Sequence, residues 1–338
     1  MRVLYLGPVW RGSNAQSFRS AFESLGHDVV AVDTHAPLDF YGRSVGWRIV
    51  SRLNRGPLGR HTEAIRETVR DAVRSTRPEL VFACKALHFD GGFVEEMRRA
   101  SGALLVHWHP DDYRNPICTS TAFQSAIPAY DVCVTPKSFN VEDLRVDGAR
   151  RVEFVPYAYD PAVHRPVSPR PGPPVEACFV GGWEPDRASY LERAAAAGVD
   201  LEVWGAYWQR LDRASPLRPA CKFEEVFAED MARVFSSSML TLGFLRKVNR
   251  DRHTARTFEI PASGGVMLAE RTDEQQSFFE EGKEALYFDS ADEMVATICE
   301  YVRRPDDLAR IRAAALARCE RDRYSYAGRL DGLLRRIA

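Results

Sequence analysis

A run of cations follows an apolar segment that is typical of a strand and ends at Gly243. These cations fall within eleven residues and beside the free helix N–H groups expected near Thr254, an arrangement that suits a diphosphate. Glu259 then lies about one turn into the predicted helix, where a carboxylate can accept both hydroxyls of a ribose. A solvated basic loop before an ordinary helical glutamate fits the same residue types. The cations are Arg246, Lys247, Arg250, Arg252, His253 and Arg256.

A second candidate segment, residues 104–113, begins as an apolar strand and ends in polar side chains. We expect His107 to remain within the strand. His109, Asp111 and Asp112 would occupy its carboxyl end, within range of an acceptor hydroxyl that Asp111 or His109 could deprotonate. Two other interpretations stay open, because Asp beside Pro is a common turn element and paired histidines on a strand can be buried.

Two weaker candidates follow other predicted strands. The loop after the first strand carries Arg11 and Gly12 on the side where an acceptor would bind. It lacks the three spaced glycines of a dinucleotide fingerprint, which disfavours an NAD enzyme. Lys85 and His88 follow the third strand, where ordinary loop polarity is the better explanation.

The elements that would position these residues alternate between strand and helix patterns, which predicts an α/β fold with parallel sheets. Seven prolines between residues 156 and 174 interrupt this alternation, and the strand–helix–strand pattern then restarts. We therefore expect two Rossmann-like domains facing a central cleft, with ligands at the carboxyl ends of the strands. The predicted parts are an N-terminal domain over 1–160, a linker over 161–174, a C-terminal domain over 175–321, and a final helix over 322–338 that packs back on the N-terminal domain.

Composition excludes several other classes of protein. The 338 residues are 45% hydrophobic and 28% charged, as in a globular protein rather than a disordered one. With 46 basic and 47 acidic residues the net charge is -1, so we expect neither nucleic acid nor an anionic membrane surface as partner. The longest uncharged stretch, residues 115–130, is too short to cross a bilayer. The first residues have no basic leader or cleavage site, which predicts a cytoplasmic protein.

The second half of the chain resembles the GT-B glycosyltransferases, and specifically their CgeB-like branch, which is named for a spore-maturation protein. The segments that carry the resemblance share residues, order and spacing with that family. They are Ala177-Cys-Phe-Val-Gly-Gly-Trp183 with Arg187, Asp200-Leu-Glu-Val-Trp-Gly205 with Trp208, and Arg256-Thr-Phe-Glu-Ile-Pro-Ala-Ser-Gly-Gly265.

The resemblance implies a donor site in the C-terminal domain. In that family two acidic residues eight positions apart bound the donor site, and the second holds the ribose. Glu259 falls on the second position, and Asp251 replaces the usual Glu at the first, with a shorter reach. Arg187, Arg246 and Lys247 would carry the charge of the diphosphate. The implied donor-binding residues are Gly182, Arg187, Arg246, Lys247, Asp251, Arg256, Glu259 and Gly264, and the implied acceptor-side residues are Arg11, Gly12, His107 and Asp112.

The resemblance also implies the reaction, in which a sugar passes from a nucleoside-diphosphate sugar to a hydroxyl or amine of a small-molecule or glycan acceptor. We expect a hexosyltransferase that favours UDP-sugars, with TDP and GDP as other donor nucleotides, and that uses no metal or cofactor. Asp111 or His109 would act as base if the reaction inverts configuration, and no separate base is needed if it retains configuration. Two alternatives remain: a sugar-nucleotide epimerase or hydrolase of the same fold, and a two-lobed binding protein without turnover.

Overall fold

The chain folds into two compact units. Unit 1 comprises residues 1–156 together with 329–338, and unit 2 comprises residues 157–328, so the Pro-rich segment 161–174 belongs to unit 2. Each unit is a parallel sheet with helices, as the alternating sequence pattern predicts. The computed structural model describes residues 1–9, 14–35 and 56–337.

The sheet of unit 1, called sheet 1, is built from apolar runs such as LVFAC, whose members are all buried. Such runs suit parallel strands because helices cover both faces of the sheet. Within the described residues six strands pair in the order β2-β1-β3-β4-β5-β6. The strands are β1 (Arg2–Gly7), β2 (Asp28–Asp33), β3 (Leu80–Cys84), β4 (Leu104–Trp108), β5 (Val132–Thr135) and β6 (Val152–Phe154).

Local sequence signals set the ends of the helices in unit 1. The Asp90 carboxylate accepts the Phe93 backbone N–H and caps one helix, which ends at Gly102 with φ of 66°. Ser120 caps the next helix by accepting the N–H of Phe123. The helices are α1 (Asn14–Ser24), α2 (Gly56–Thr76), α3 (Gly91–Ser101), α4 (Thr121–Ala126) and α5 (Asn140–Val146).

The sheet of unit 2, called sheet 2, has the same parallel character. In the described part of the chain five strands pair in the order β11-β10-β9-β7-β8. The strands are β7 (Val175–Val180), β8 (Leu201–Trp204), β9 (Ser238–Gly243), β10 (Met267–Glu270) and β11 (Leu286–Phe288).

The helices that connect these strands also begin at recognisable signals. Pro185 occupies the first turn of one helix, where its missing N–H costs nothing. Thr272 and Ser290 cap two others by accepting backbone N–H groups. The helices are α6 (Pro185–Ala196), α7 (Ala228–Ser236), α8 (Arg256–Ala262), α9 (Asp273–Phe278), α10 (Ala291–Tyr301), α11 (Pro305–Arg321) and α12 (Tyr326–Ile337).

Most of α12 belongs to unit 1. The Arg336 guanidinium lies 2.7 Å from the Glu153 carboxylate of β6, and an Arg151 N–H donates to the Arg336 carbonyl over 2.7 Å. Leu330 and Leu333 are fully buried, which contributes about 1.5–3 kcal/mol for each side chain. None of the helices within the described residues combines the length and the apolar character of a membrane span.

Candidate functional site

The strand order of sheet 2 marks one point at its carboxyl edge where a ligand can enter. The chain passes from β7 outward to β8, and then returns to β9, which lies on the other side of β7. Parallel sheets bind ligands at such a reversal, because the two loops leave in opposite directions and open a crevice between them. The loops here begin at Gly181 and at Phe244.

The loop after β7 is held in a tight turn. The Gly181 N–H donates to the Trp204 carbonyl over 2.9 Å, and the Trp208 indole N–H donates to the Gly181 carbonyl over 2.9 Å. Gly205 passes so close that a Cβ on it would clash with the same carbonyl oxygen, and its φ is 136°. The glycines of this turn therefore serve close packing of two strand ends.

Arg187 approaches this turn from the first turn of α6. Its guanidinium donates to the Gly182 carbonyl over 3.1 Å, and the residue is only 9% exposed. Burial lowers the pKa of Arg187 from its usual value. Its Nε–H has no hydrogen-bond partner among the described residues. A buried, under-bonded guanidinium at a strand end is well placed to bind an anion.

The cations after β9 lie beside carboxylates of α6 and its N-cap. Arg246 Nε lies 3.1 Å from the Glu184 carboxylate, which is also 3.5 Å from Arg187. Lys247 Nζ lies 2.9 Å from Asp186, and this hydrogen bond raises the pKa of Lys247. A bound diphosphate would therefore compete with these carboxylates for the three cations.

The end of β10 closes this part of the site. The Glu270 carboxylate accepts the Leu245 N–H over 2.9 Å, and burial raises the pKa of Glu270. A small pocket lies between this carboxylate and the cations. Its lining residues are Glu184, Asp186, Arg187, Tyr190, Phe244, Leu245, Lys247 and Glu270.

Glu259 lies on the first turn of α8 and is 4% exposed. Its Oε2 pairs with Arg256, whose Nε donates to the Val180 carbonyl at the end of β7 over 3.2 Å. Its Oε1 lies 3.7 Å from His164 Nε2, and burial lowers the pKa of that histidine. The carboxylate is thus fixed beside the strand end that carries Gly181 and Gly182.

Other residues predicted for the donor site are placed differently. Asp251 turns back on its own loop, where its carboxylate accepts the Arg246 N–H over 3.4 Å. Gly264 follows the end of α8 with φ of 76°, at the amino edge of sheet 2, so it ends the helix away from the cations. The Thr254 N–H, just before the start of α8, donates to Thr257 Oγ1 over 3.1 Å.

His253 also differs from its cationic neighbours in the sequence. It is 1% exposed, its Nδ1 pairs with Glu274, and its Nε2 accepts the Tyr157 N–H over 3.1 Å. These contacts give His253 a structural position inside unit 2.

Sheet 1 has its own reversal point, between β1 and β3. Arg11 and Gly12, in the loop after β1, lie outside the described residues. Lys85 follows β3 in a left-handed conformation, with φ of 50°, and its ammonium pairs with the Asp111 carboxylate after β4. Asp111 thus lies at the carboxyl edge of sheet 1, as the sequence predicts.

Two histidines lie beside this pair, and sequence reasoning missed one of them. The rings of His35, after β2, and His88, after β3, are 6.3 Å apart. Burial lowers the pKa of His35 to about 4 and that of His88 to about 3, so both rings are neutral near pH 7. The signal in the sequence that could have found His35 is its position two residues after the strand that ends at Asp33.

The remaining polar residues of segment 104–113 are buried. His107 lies between Phe123 and Tyr130, with ring centroids 4.6 and 4.9 Å away. Both ring nitrogens of His109 lie 2.9 Å from backbone carbonyls, and burial lowers its pKa to about 4. Asp112 accepts the Arg114 N–H in a turn. Protein groups thus enclose His107, His109 and Asp112, whereas Asp111 is partly exposed beside Lys85.

In residues 1–9, 14–35 and 56–337, no group of three or more His, Cys, Asp or Glu side chains is arranged to hold a metal ion.

Residues 187–335 match the family described as glycosyl transferase-like. This match covers Arg187, Arg246, Lys247 and Glu259. No curated protein sequence matches the chain.

Solved structures resemble the whole chain. A sucrose-phosphate synthase from Thermosynechococcus elongatus has 12% identity and a TM-score of 0.68, covering 100% of this chain and 99% of that one. Anabaena HepE in complex with UDP-glucose has 12% identity and a TM-score of 0.66, with coverage of 100% and 99%. A Listeria monocytogenes protein assigned as a UDP-N-acetylglucosamine 2-epimerase has 12% identity and a TM-score of 0.56, with coverage of 98% and 94%.

These likenesses show that the chain has the GT-B fold. The family match over residues 187–335 supports a glycosyltransferase. The CgeB-like branch stays a prediction.

Proposed function

We propose that this protein is a hexosyltransferase that moves a sugar from a nucleoside-diphosphate sugar to a hydroxyl or amine of a small-molecule or glycan acceptor. One observation carries the proposal: Arg187, Arg246 and Lys247 meet beside the Gly181–Gly182 turn at the reversal point of sheet 2. Ligands of parallel α/β sheets bind at such points, and the three cations lie within the segment that matches the glycosyl transferase-like family.

The three cations would act on the leaving group. Breaking the bond between the sugar and the diphosphate places additional negative charge on the departing phosphate, and fixed cations stabilise that charge in the transition state. Glu184 and Asp186 hold the cations in place before the donor binds. The donor phosphates then replace these two carboxylates as the partners of the cations.

Glu259 would bind the ribose. Its carboxylate can accept hydrogen bonds from the ribose hydroxyls. Its contacts with Arg256 and His164 fix its orientation beside the end of β7. When the donor binds, the ribose hydroxyls would replace Arg256 as partners of part of the Glu259 carboxylate.

Asp111 would face the acceptor in unit 1. In an inverting reaction it takes the proton of the attacking hydroxyl, and the paired ammonium of Lys85 orients the carboxylate. A retaining reaction needs no such base, and Asp111 would then hold the acceptor by a hydrogen bond.

We favour UDP as the donor nucleotide, with TDP and GDP as alternatives. Anabaena HepE, which has the same fold, is solved with UDP-glucose bound. The Listeria protein assigned as an epimerase has this fold as well, so the fold by itself does not separate transfer from epimerisation.

The decisive experiment has two steps. Thermal unfolding is measured with UDP, TDP, GDP, ADP and NAD, because a ligand that binds the native state raises the apparent stability. Sugar conjugates of the nucleotide that stabilises most are then incubated with and without an acceptor mixture, and the products are analysed by mass spectrometry.

Each outcome of the second step points to one activity. Product that forms only with acceptor supports transfer. An isomerised or hydrolysed sugar nucleotide without acceptor supports the epimerase or hydrolase alternative, and binding without turnover supports a binding protein. Failure of every nucleotide to stabilise the protein would contradict the proposal.

A further inference from the structure

Two neighbouring loops of unit 2 are hydrogen-bonded to each other beside the proposed diphosphate site. The Trp183 N–H, after β7, donates to the Ala206 carbonyl, after β8, over 2.9 Å. The Gly205 N–H donates to the Glu224 carbonyl over 2.7 Å, which holds the second loop from its other side. Backbone hydrogen bonds thus fix the loops after both strands relative to each other.

The two loops carry aromatic side chains in contact with a cation. This group, made of Trp183, Tyr207 and Arg210, is here called the Tyr207 platform. The Arg210 guanidinium lies 4.8 Å from the centroid of the Tyr207 ring and 5.9 Å from that of Trp183. The Arg210 N–H donates to the Tyr207 carbonyl over 3.0 Å, so the backbone also joins the two residues. The arrangement is a stack of a guanidinium on an aromatic ring.

The conformation of Tyr207 does not serve burial of its ring. The residue is 54% exposed, and its φ of 68° lies in the left-handed region that aromatic residues seldom adopt. Such strain persists where the surrounding structure enforces it, and it occurs preferentially at ligand sites. By contrast Trp208, one residue later, is fully buried and bonded to Gly181.

The platform lies next to the proposed diphosphate site in the strand order of sheet 2. Strand β8, which it follows, lies next to β7, and adjacent strands are about 4.8 Å apart. The platform therefore lies one strand away from the Gly181–Gly182 turn and Arg187. A ligand whose diphosphate binds at the reversal point can extend its nucleoside towards β8.

We propose that Tyr207, backed by Arg210, binds the nucleobase of the donor by stacking. The inference rests on the proposed function, because it assigns one part of the same donor to one part of the same domain. Stacking uses the π face that every nucleobase has, so this contact adds affinity for nucleotides without selecting among bases.

The test compares ligands with and without a base. Dissociation constants for UDP are measured by titration calorimetry for the wild type, Tyr207→Phe and Tyr207→Leu, and those for inorganic pyrophosphate by competition. Loss of one stacked base is expected to weaken UDP binding about 10- to 100-fold in Tyr207→Leu. Tyr207→Phe should stay within about twofold of the wild type, because the ring is kept.

Pyrophosphate affinity should be the same in all three proteins, since it has no base. ADP and GDP, where the wild type binds them, should lose affinity in Tyr207→Leu by a factor similar to that for UDP. Arg210→Met is a second variant, expected to weaken UDP binding several-fold through loss of the backing charge.

The outcomes separate this inference from the proposed function. Equal UDP affinity in the wild type and Tyr207→Leu overturns the stacking site and leaves the glycosyltransferase proposal intact. Equal losses for UDP and pyrophosphate also overturn it, because the loop rather than the base contact would then be responsible. A wild type that binds no nucleoside diphosphate overturns both.

Discussion

The carboxylate of Glu184 lies 3.1 Å from the guanidinium of Arg246, although 62 residues separate them in the sequence. The same carboxylate is 3.5 Å from Arg187. One acidic residue at the N-cap of α6 therefore contacts two of the cations that we assign to the donor diphosphate. The cations stay oriented without ligand, and the ligand must compete with Glu184.

Removing that competition should strengthen nucleotide binding. Glu184→Gln keeps the size of the side chain and leaves Arg187 and Arg246 available to the diphosphate. We expect UDP to bind up to about fivefold more tightly, since partly exposed ion pairs are worth up to about 1 kcal/mol. Titration calorimetry measures the change, with Glu229→Gln, at an exposed ion pair on α7, as matched control. Weaker binding in Glu184→Gln would instead show that Glu184 contacts the ligand.

Arg187 should be needed as a guanidinium and not only as a charge. Arg187→Lys keeps the charge and loses the fork of donors that reaches Gly182. We expect the KM for the sugar nucleotide to rise about tenfold or more, because charge-assisted hydrogen bonds contribute about 1.5–3 kcal/mol. Arg193→Lys, on the same helix but paired with Asp292 at the surface, is the control. Identical donor kinetics in both variants would remove Arg187 from the site.

The assignment of the ribose to Glu259 can be tested with a modified ligand. The wild type should bind UDP about tenfold or more tightly than 2′,3′-dideoxy-UDP, because a carboxylate accepts both missing hydroxyls. Glu259→Gln should bind UDP more weakly and lose most of this preference. Competition titrations with both nucleotides measure it. A preference of the same size in the variant would assign the hydroxyls to another residue.

Substitution of Asp111 should lower the turnover rate without changing the affinity for the donor. For an inverting reaction we expect Asp111→Asn to lower kcat about 100-fold or more, the usual contribution of a general base, with unchanged affinity for UDP. Lys85→Met should lower kcat less, since Lys85 only orients the carboxylate. Asp71→Asn, at an exposed pair on α2, is the control, and NMR of the product gives its configuration. An inverted product at the wild-type rate from Asp111→Asn would exclude this base.

Buried neutral histidines predict the acid sensitivity of unit 1. Burial lowers the pKa of His109 to about 4, whereas an unfolded histidine titrates near 6.5. The unfolded state therefore binds protons first as the pH falls, and stability present above about pH 6.5 is lost progressively down to about pH 4. The loss from this one residue is on the order of 3 kcal/mol. His35 and His88 act in the same direction.

The measurement for this prediction is the free energy of unfolding by urea between pH 4 and pH 8. His109→Gln cannot titrate in this range, so its stability should fall less steeply than that of the wild type between pH 6.5 and 4. Parallel curves for the two proteins would be inconsistent with a buried, neutral His109.

Much of the fold could be predicted because long apolar runs repeat with a clear period. The sequence indicates strands at the apolar runs 28–33, 80–84 and 238–243, and β2, β3 and β9 occupy these ranges. Most residues of β3 and β9 are buried, whereas β2 is only partly buried. Helices α4 and α5 were not predicted, because one or two turns give too few periodic positions to recognise.

The site was less predictable, because sequence spacing does not show which strand ends are neighbours or which side chains are buried. The sequence singled out Arg187 and Arg246, and their common partner Glu184 became visible only with the fold. It gave His109 the same weight as Asp111, although the backbone carbonyls of Asp111 and Cys118 enclose the ring.

The pairing of Arg336 with Glu153 has a consequence for synthesis of the chain. A ribosome makes about 5–20 residues per second, so about 10–35 s pass between the completion of residue 156 and the arrival of residue 329. During that interval sheet 1 exists without the helix turn that carries Arg336, while unit 2 is being made. Unit 1 therefore cannot complete its packing until the residues from 329 onward, which follow all of unit 2, have been made.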